Sequence, residues 1–317
     1  MCIFFIDHIP IAWYFFQVTF SKTRIRSMRT TILLFIILFG NTAFGGWDDI
    51  VATPIEQVTA VGVPVDVKIR FERDLGLGMF NPNVSGLPVK FYLGLNGELL
   101  NSVLTNSDGI AKVKFFATQP GRFVIVGEIE DGESSHSPIK VPVYVLEPTD
   151  RVIVSDIDGT LSDLPDYLIP VKSADAPTFP DAPEVLNWIS QCAHVIYLTN
   201  RDQFLYSATK QFLANREFPI GPLLMNRYTK WGDFPFEKDP MRAALFKRDL
   251  LLSLKDRGIE VELGLGDRNS DAWAYNNSGV ESFIRESDKS DLKLPSTIYS
   301  SYRDLKGKLE ERWGNCN

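Results

Sequence analysis

Near the middle of the chain stands the segment Arg151-Val-Ile-Val-Ser-Asp156-Ile-Asp158-Gly159-Thr160-Leu161. Its apolar residues predict a short buried strand over Val152–Val154, which runs into two carboxylates one residue apart. Carboxylates at the edge of a core are costly unless they are paired with cations or bound to a metal. Gly159 allows a positive φ or a close approach of the backbone to a ligand. The segment therefore predicts a buried strand that delivers two acids to a binding pocket.

The two acids can take different chemical roles. An aspartate at the position of Asp156 can attack phosphorus and form an acyl phosphate. Asp158 lies above the same pocket, where it can give a proton to the leaving group and later take one from water. The alternative interpretation is an Asx turn that ends an ordinary strand.

From Pro148 onward the chain alternates between strand and helix patterns. This alternation predicts a parallel sheet that is covered by helices on both faces. In such a sheet the ligand lies at the carboxyl ends of the strands, where the strand order reverses. The predicted helices are Pro183–Gln191, Asp202–Arg216 and Pro240–Arg257, and the further strands are His194–Leu198, Gly221–Met225 and Ile259–Leu265.

Two of these strands end in residues that suit a phosphate and a metal. Thr199 offers a hydroxyl, together with free backbone N–H groups, at a strand-to-helix junction, which suits a phosphate oxygen. An ordinary helix N-cap is the alternative for Thr199. Asp267 and Asp271 follow the last predicted strand. Mg²⁺ takes oxygen ligands and usually only one or two carboxylates, so Asp267 is predicted to bind it directly, with Asp271 either a ligand or a hydrogen-bond acceptor behind it.

Taken in order, these residues resemble the four motifs of the haloacid dehalogenase (HAD) superfamily. Asp156-Ile-Asp158-Gly159-Thr160 is similar to the first motif, Thr199 to the second, and Gly266-Asp267 with Asp271 to the fourth. Lys247, within a predicted helix, is similar to the lysine of the third motif, with Lys230 and Lys238 as competing assignments.

The resemblance implies a role for each of these positions. It implies that Asp156 is the nucleophile and that Asp158 is the general acid and then the general base. It implies that the phosphoryl group is bound by Gly159, Thr199, Asn200, Arg201 and Lys247. It also implies a Mg²⁺ ion held by Asp156, Asp158 (through its backbone carbonyl), Asp267 and Asp271.

A narrower resemblance, from Val152 to Ile284, is to the lipin/Nir C-terminal (LNS2) domain and to actin-patch phosphatidate phosphatase. In lipins the fourth motif generally begins Gly-Asn-Arg, whereas this chain has Gly266-Asp-Arg268. The resemblance implies Mg²⁺-dependent removal of phosphate, with phosphatidate as a candidate substrate and peripheral contact with a membrane. A phosphatase of soluble phosphoesters is one alternative. Another is a non-catalytic phosphate- or lipid-binding module, which the intact Asp156 and Asp158 disfavour.

The region from residue 46 to residue 147 has a different pattern. Short alternating segments, separated by turns such as Asn106-Ser-Asp-Gly109, predict an all-β sandwich of immunoglobulin-like type. No cluster of ionisable residues with catalytic spacing occurs in this region of the sequence. The sequence thus predicts a β-sandwich domain at 46–147 and a HAD-like phosphatase domain at 148–317.

The first 45 residues are predicted to be a signal peptide. Basic residues precede the apolar run Ile32–Phe39, and small residues follow it at Ala43 and Gly45. Met28 directly precedes Arg29, which indicates that translation starts there and that residues 1–27 are an over-extended start. The prediction is export to the periplasm or the extracellular space, and an N-terminal membrane anchor is the alternative.

Net charge and cysteine content limit the kinds of partner and metal that the chain is expected to bind. The net charge of −7 argues against a nucleic-acid partner. The sequence has no cysteine pattern typical of a zinc site. Cys192 is predicted to be a small buried hydrophobe, and a disulfide with Cys316 stays open as the alternative.

Two segments near the predicted site are candidates for contact with substrate. The proline-rich stretch Ser162–Asp181 is predicted to be a flap. Trp231, Phe234 and Phe236 form an aromatic segment that could grip an apolar chain, with ordinary packing as the alternative. The spacing of the motifs leaves no room for a large cap domain.

Overall fold

The computed structural model describes residues 50–76, 81–130, 137–165, 168–227, 240–286 and 294–316. Residues 45–317 form one compact unit. The predicted signal peptide lies outside the described residues, as do the aromatic segment and the competing lysines, Lys230 and Lys238.

Residues 50–146, here called the β part, form two sheets on a shared core. Alternate residues along the strands are apolar, and this period places them on one face of each sheet. The sheets have the orders β1-β3-β6 and β2-β8-β7-β4-β5. The strands are β1 Ile50–Ile55, β2 Gln57–Ala60, β3 Val65–Arg73, β4 Pro88–Leu93, β5 Leu99–Leu104, β6 Ile110–Phe115, β7 Gly121–Ile129 and β8 Ile139–Leu146. Core residues such as Ile69, Phe91 and Val143 come from both sheets, and the likeness to an immunoglobulin fold stays a prediction.

Residues 152–313, here called the α/β part, form a six-stranded parallel sheet with helices on both faces, as predicted. Its strands are β9 Val152–Ser155, β10 His194–Asp202, β11 Leu223–Asn226, β12 Val261–Gly266, β13 Glu281–Arg285 and β14 Thr297–Tyr299. Its α-helices are α1 Ile169–Lys172, α2 Ala182–Ile189, α3 Tyr206–Asn215, α4 Pro240–Asp256, α5 Asn269–Asn276 and α6 Tyr302–Trp313. Among the helices that the structure describes, none is long and apolar enough to cross a bilayer.

The strand order, β11-β10-β9-β12-β13-β14, places the first strand in the middle of the sheet. The chain builds outward from β9 on one side and then returns to β12 on the other. The order therefore reverses between β9 and β12, and ligands of such sheets bind outside the carboxyl ends of the strands at this point. Asp156 follows β9 and Asp267 follows β12, so both acids lie at the reversal.

The β part packs against part of one face of the parallel sheet. On one face, the sheet packs against α2, α3 and α6 through residues such as Leu186, Phe212 and Leu305. On the other face, Leu254 of α4 and Tyr275 of α5 share a core with Val58 and Leu146 of the β part. The two parts are therefore joined by apolar packing.

Glu56, between β1 and β2, fastens the β part to the edge of the parallel sheet. Its buried carboxylate accepts hydrogen bonds from Tyr206 Oη (2.6 Å) and from the backbone N–H of Leu223 (2.8 Å). Lys210 Nζ lies 2.9 Å from the same carboxylate. Because β11 is an edge strand, its outer N–H groups need partners, and Glu56 supplies one.

The structure corrects the prediction for Cys192. Cys192 and Cys316 form a disulfide with a Cα–Cα distance of 5.4 Å, and Cys192 is only partly buried. Sequence spacing gave no sign of the pair, because the two cysteines are 124 residues apart and meet through the packing of α6 beside α2.

The proline-rich stretch that is predicted to be a flap is packed into the fold at several of its described residues. Leu164 and Ala176 are buried in the core of the α/β part. Ser162 forms bridges with Asp158 and Thr178. The stretch is thus anchored to the loop that carries the acids.

Candidate active site

Lys247 lies between two of the predicted acids. Its Nζ is 2.8 Å from Asp156 Oδ1 and 2.6 Å from Asp271 Oδ1, and all three side chains are buried. Helix α4 delivers the lysine to the end of β9, and α5 delivers Asp271. The structure thus brings Lys247 to the first and fourth motifs, as the HAD resemblance implies.

Asp271 also organises the loop after β12. Its Oδ2 accepts hydrogen bonds from the backbone N–H groups of Asp267 (3.2 Å) and Arg268 (3.1 Å). With Oδ1 bonded to Lys247, both oxygens of this carboxylate have protein donors. These contacts favour the second of the two predicted roles for Asp271, an acceptor that supports its neighbours.

Gly159 is required where the first motif meets the fourth. Its φ is +79°, and a Cβ built on it would lie 2.1 Å from Asp267 Oδ2. Any larger residue would therefore be strained and would also displace the Asp267 carboxylate. The glycine lets the loop after β9 approach the acid after β12.

Three carboxylates meet at this point. Oxygen atoms of Asp156, Asp267 and Asp271 all lie within 4.8 Å of one another. Inside the cluster Lys247 is the buried cation, and the partly exposed Arg268 reaches Asp267 Oδ2 at 3.6 Å. An all-oxygen donor set with surplus negative charge fits Mg²⁺.

The pKa values reflect this crowding. Burial, together with the charges of Asp271 and Asp267, raises the pKa of Asp156 to about 7, although Lys247 opposes the rise. Burial alone would lower the pKa of Lys247, but the charges of Asp156 and Asp271 outweigh it and raise that pKa. The lysine therefore stays charged, and a further cation would favour the ionised form of Asp156.

Asp158 faces a different partner. Arg201 Nε and Nη2 donate to its two carboxylate oxygens at 2.8 and 2.7 Å. Arg201 Nη1 donates to Thr209 Oγ1 at 3.1 Å, and the guanidinium lies over the ring of Phe212. The sequence predicts that Arg201 binds phosphate, whereas the structure places its side chain as a clamp that orients Asp158.

Thr199 and Asn200 lie at the end of β10, beside the acids. Thr199 is fully buried, and its Oγ1 accepts a hydrogen bond from the backbone N–H of Arg201 at 3.2 Å. Asn200 Oδ1 accepts one from Asn226 Nδ2 at 2.8 Å. Both residues line the pocket described next, and their phosphate-binding role stays a prediction.

The pocket above the carboxylates has a volume of about 100 Å³. One wall is polar, with Asp156, Lys247 and Arg268, and another is apolar, with Ile169 and Phe204. Ile169 belongs to the proline-rich stretch, so that stretch supplies part of the apolar wall. The described residues that line the pocket also include Asp158, Thr199, Asn200, Arg201, Asp202, Leu205, Ala243, Ser270 and Asp271.

Sequence reasoning missed Arg285, which supports the site from β13. Its Nε donates to the backbone carbonyl of Gly159 at 2.9 Å, and its guanidinium stacks on Phe179 at 3.7 Å. Arg285 ends a short apolar strand, and no motif in the sequence marks it. Arg285 reaches the loop after β9 because β13 lies next to β12 in the sheet, and this neighbour relation is visible only in the structure.

The strand order, and the residues at the ends of β9, β10 and β12, define an α/β domain with an acidic site at the reversal of strand order. The LNS2 (Lipin/Ned1/Smp2) family model matches residues 103–312, about two thirds of the chain. The chain belongs to the LNS2 family. The matched range begins in β5, so it includes strands of the β part and crosses residue 148, the predicted domain boundary.

Comparison with solved structures finds remote likenesses. D,D-heptose 1,7-bisphosphate phosphatase from B. bronchiseptica, crystallised with magnesium and phosphate, is 16% identical over 51% of this chain and 99% of that chain, with a TM-score of 0.41. A protein from Mesorhizobium loti described as a HAD-like phosphatase is 18% identical over 62% of this chain and 95% of that chain, with a TM-score of 0.42. No curated protein sequence matches the chain. Both TM-scores are below 0.5, so the family assignment rests on the family model.

Proposed function

We propose that the protein is an exported, Mg²⁺-dependent phosphohydrolase that works through an aspartyl-phosphate intermediate. The observation that carries the proposal is the buried cluster of Asp156, Asp267 and Asp271 around Lys247, at the reversal of strand order. The cluster holds three carboxylates against one buried lysine and one partly exposed arginine, so it keeps surplus negative charge that a bound metal would compensate. A purely structural role for the cluster is therefore disfavoured.

The metal would be held by Asp156 and Asp267, because Asp271 already accepts hydrogen bonds at both of its oxygens. Gly159 keeps the two metal-binding loops close together. When bound, Mg²⁺ supplies positive charge that favours the ionised nucleophile and offsets the charge of the phosphoryl oxygens.

The chemistry proceeds in two steps. A carboxylate oxygen of Asp156 forms a bond to phosphorus while the bond from phosphorus to the ester oxygen breaks, and Asp158 gives the leaving oxygen a proton. Asp158 then takes a proton from water, the water oxygen attacks phosphorus, and the aspartyl–phosphate bond breaks to release inorganic phosphate. Arg201 holds Asp158 in place through both carboxylate oxygens. Thr199 and Lys247 bind the phosphoryl oxygens.

Phosphatidate is the substrate that we propose, because the chain belongs to the LNS2 (Lipin/Ned1/Smp2) family and resembles phosphatidate phosphatases in its motifs. The apolar wall of the pocket, with Ile169 and Phe204, is compatible with a lipid and peripheral contact with a membrane.

Export is supported by the signal-like N-terminal sequence and by the Cys192–Cys316 disulfide, which is typical of oxidising compartments. The boundary at residue 148 between a sandwich domain and a phosphatase domain is part of the same proposal.

The test is phosphate release from phosphatidate in mixed micelles, with glycerol 3-phosphate and p-nitrophenyl phosphate as soluble substrates. Each is assayed with Mg²⁺ and with a chelator, for the wild type, Asp156→Asn and a control, Asp163→Asn, whose side chain is exposed in the same loop. We expect Mg²⁺-dependent release that is fastest from phosphatidate, lost in Asp156→Asn and kept in Asp163→Asn. Faster release from a soluble substrate would contradict the lipid assignment. No release from any substrate, in a folded protein that binds phosphatidate vesicles, would favour the binding module.

A further inference from the structure

A second and larger pocket lies between the β part and the α/β part. Its volume is about 200 Å³, roughly twice that of the pocket above the carboxylates. None of the described residues lines both pockets. Pockets at the junction of two parts of a fold are common places for small-molecule binding.

The walls of this junction pocket are largely apolar. Leu223, Leu224 and Met225 come from β11, and Leu250 and Leu254 come from the face of α4 that packs on the sheet. Leu254 and Leu223 are each 2% exposed, so these walls are fixed by the core behind them. An apolar ligand in this pocket would contact walls that already have a defined shape.

Most of the charged groups at the pocket have protein partners. Glu56 is bonded to Tyr206, Lys210 and the N–H of Leu223. Arg257 donates to Gln57 Oε1 at 3.0 Å, to the carbonyl of Val58 and to Ser253 Oγ.

Lys68 of β3 differs from these groups. It is half-buried at the pocket, and within the part of the chain that the structure describes its ammonium has no hydrogen bond or ion pair. The nearby Asp66 is paired with Lys112 (3.5 Å) and Lys114 (3.0 Å). Burial lowers the pKa of Lys68 and the charge of Arg257 adds to the effect, although Asp66 opposes it. A half-buried cation has lost part of its hydration, and an anionic ligand in the pocket would supply it with a charged partner.

We propose that the junction pocket binds a small amphiphilic anion, an apolar body that ends in a single carboxylate or phosphate group. The anionic group lies between Lys68 and Arg257, and the apolar body lies against the leucines of β11 and α4. A neutral molecule of the same length would gain the apolar contacts alone. A cationic one would be repelled by the two side chains.

The test uses four eight-carbon probes that differ in their head group: octanoate, octyl phosphate, octanol and octylammonium. Binding to the Asp156→Asn protein is measured by titration calorimetry, so that octyl phosphate is not hydrolysed. We expect one molecule of octanoate or octyl phosphate to bind per chain, about tenfold or more tightly than octanol, since a charge-assisted hydrogen bond is at stake. Octylammonium is expected not to bind.

Variants locate the probe. Lys68→Met is expected to weaken binding of the anion about tenfold, to the level of octanol. Lys112→Met, which removes an exposed lysine of the neighbouring strand β6, is expected to leave it unchanged. Ser253→Phe places a large side chain at the pocket wall and is expected to block every probe, which keeps the test decisive if Lys68→Met does not fold.

Three results would overturn the proposal. One is binding of octanol as tight as that of octanoate. Another is anion binding that survives both Lys68→Met and Ser253→Phe. The third is anion binding that is lost when a chelator removes Mg²⁺, because that result would place the probe in the pocket above the carboxylates. The site does not depend on the proposed phosphatase activity, so the two can fail separately.

Discussion

At the scale of single residues, the charges at the end of β9 dominate the electrostatics of the candidate active site. Asp156 is held against Lys247 but also against two other acids, and its pKa rises to about 7 because burial and those acids outweigh the lysine. An unfolded aspartate titrates near 3.8. Between these two pH values the folded, metal-free protein keeps a proton that the unfolded chain has lost.

This linkage predicts how Asp156→Asn changes stability. In a chelator, the free energy of unfolding of the wild type should fall as pH rises from about 4 to about 7 and then level off through this group. The variant cannot ionise at this position, so its unfolding free energy should fall less over that range, although its activity is lost. Urea unfolding at pH 5 and pH 8 measures the difference. Identical pH profiles for the two proteins would contradict the prediction.

Gly159 gives a second prediction, with a matched control. Gly159→Ala places a methyl group 2.1 Å from Asp267 Oδ2 at a φ of +79°, whereas Gly279→Ala has a similar φ of +75° and nothing within 4 Å. Gly279→Ala should lower the free energy of unfolding by about 1–2 kcal/mol, the cost of the left-handed backbone alone, and keep activity. Gly159→Ala should cost more and abolish Mg²⁺-dependent phosphate release. Equal effects of the two substitutions on stability and activity would show that the contact with Asp267 does not matter.

The acids and Thr199 could be chosen from the sequence because each follows a strongly patterned strand, whereas Lys247 was chosen through the resemblance to the third HAD motif. What the sequence could not show is which side chains touch. Arg201 was expected to face phosphate, yet its planar fork meets Asp158. Arg285 was missed because its contact with Gly159 spans 126 residues and depends on strand order.

At the scale of elements, the sequence predicted the strands from β9 to β12 and the longer helices between them. It did not predict the strands that follow β12. The predicted helix Pro240–Arg257 is observed at Pro240–Asp256, and predicted strand Ile259–Leu265 at Val261–Gly266. Strands β13 and β14 were not predicted, because they are only five and three residues long. The predicted helix Asp202–Arg216 begins instead with a 3₁₀ turn at Gln203–Leu205, where Asp202 caps the chain as it leaves β10.

The disulfide is an element-scale feature with its own prediction. Cys192 follows α2 and Cys316 follows α6, so the bond ties the C-terminus to the helix layer. The double variant Cys192→Ser, Cys316→Ser should lose about 2–4 kcal/mol of unfolding free energy. Denaturant unfolding with and without a reductant measures the loss, since reduction should lower the wild type to the level of the variant and leave the variant unchanged. A wild type that does not respond to reductant would contradict a stabilising bond.

At the scale of the whole molecule, the β part and the α/β part share an apolar core and are also joined by the hydrogen bonds and ion pair of Glu56. The sequence predicted a separate β-sandwich domain at 46–147, because β1 and β2 were not predicted and Glu56 carries no motif. A glutamate in a short connection looks solvent-exposed in the sequence. Here it is buried because Tyr206, Lys210 and Leu223 complete its hydrogen bonds across 150 residues or more.

Removal of the Glu56 side chain should destabilise the β part and the α/β part together. Glu56→Ala leaves the Tyr206 hydroxyl and the Leu223 N–H without their acceptor and should lower the free energy of unfolding by about 3 kcal/mol. Glu130→Ala, which breaks the exposed pair with Lys90, should cost less than about 1 kcal/mol. Urea unfolding followed by both circular dichroism and tryptophan fluorescence measures the two losses. Equal losses in the two variants would show that Glu56 contributes no more than an exposed ion pair. Separate transitions in the wild type would contradict a single cooperative unit.

The most direct test of the central claim is Mg²⁺-dependent phosphate release by the wild type and by Asp156→Asn, measured side by side at pH 7.5. We expect release by the wild type that stops when a chelator removes Mg²⁺, and none by the variant under either condition. Release that persists in Asp156→Asn, or that is unaffected by the chelator, would contradict an aspartyl nucleophile assisted by the metal.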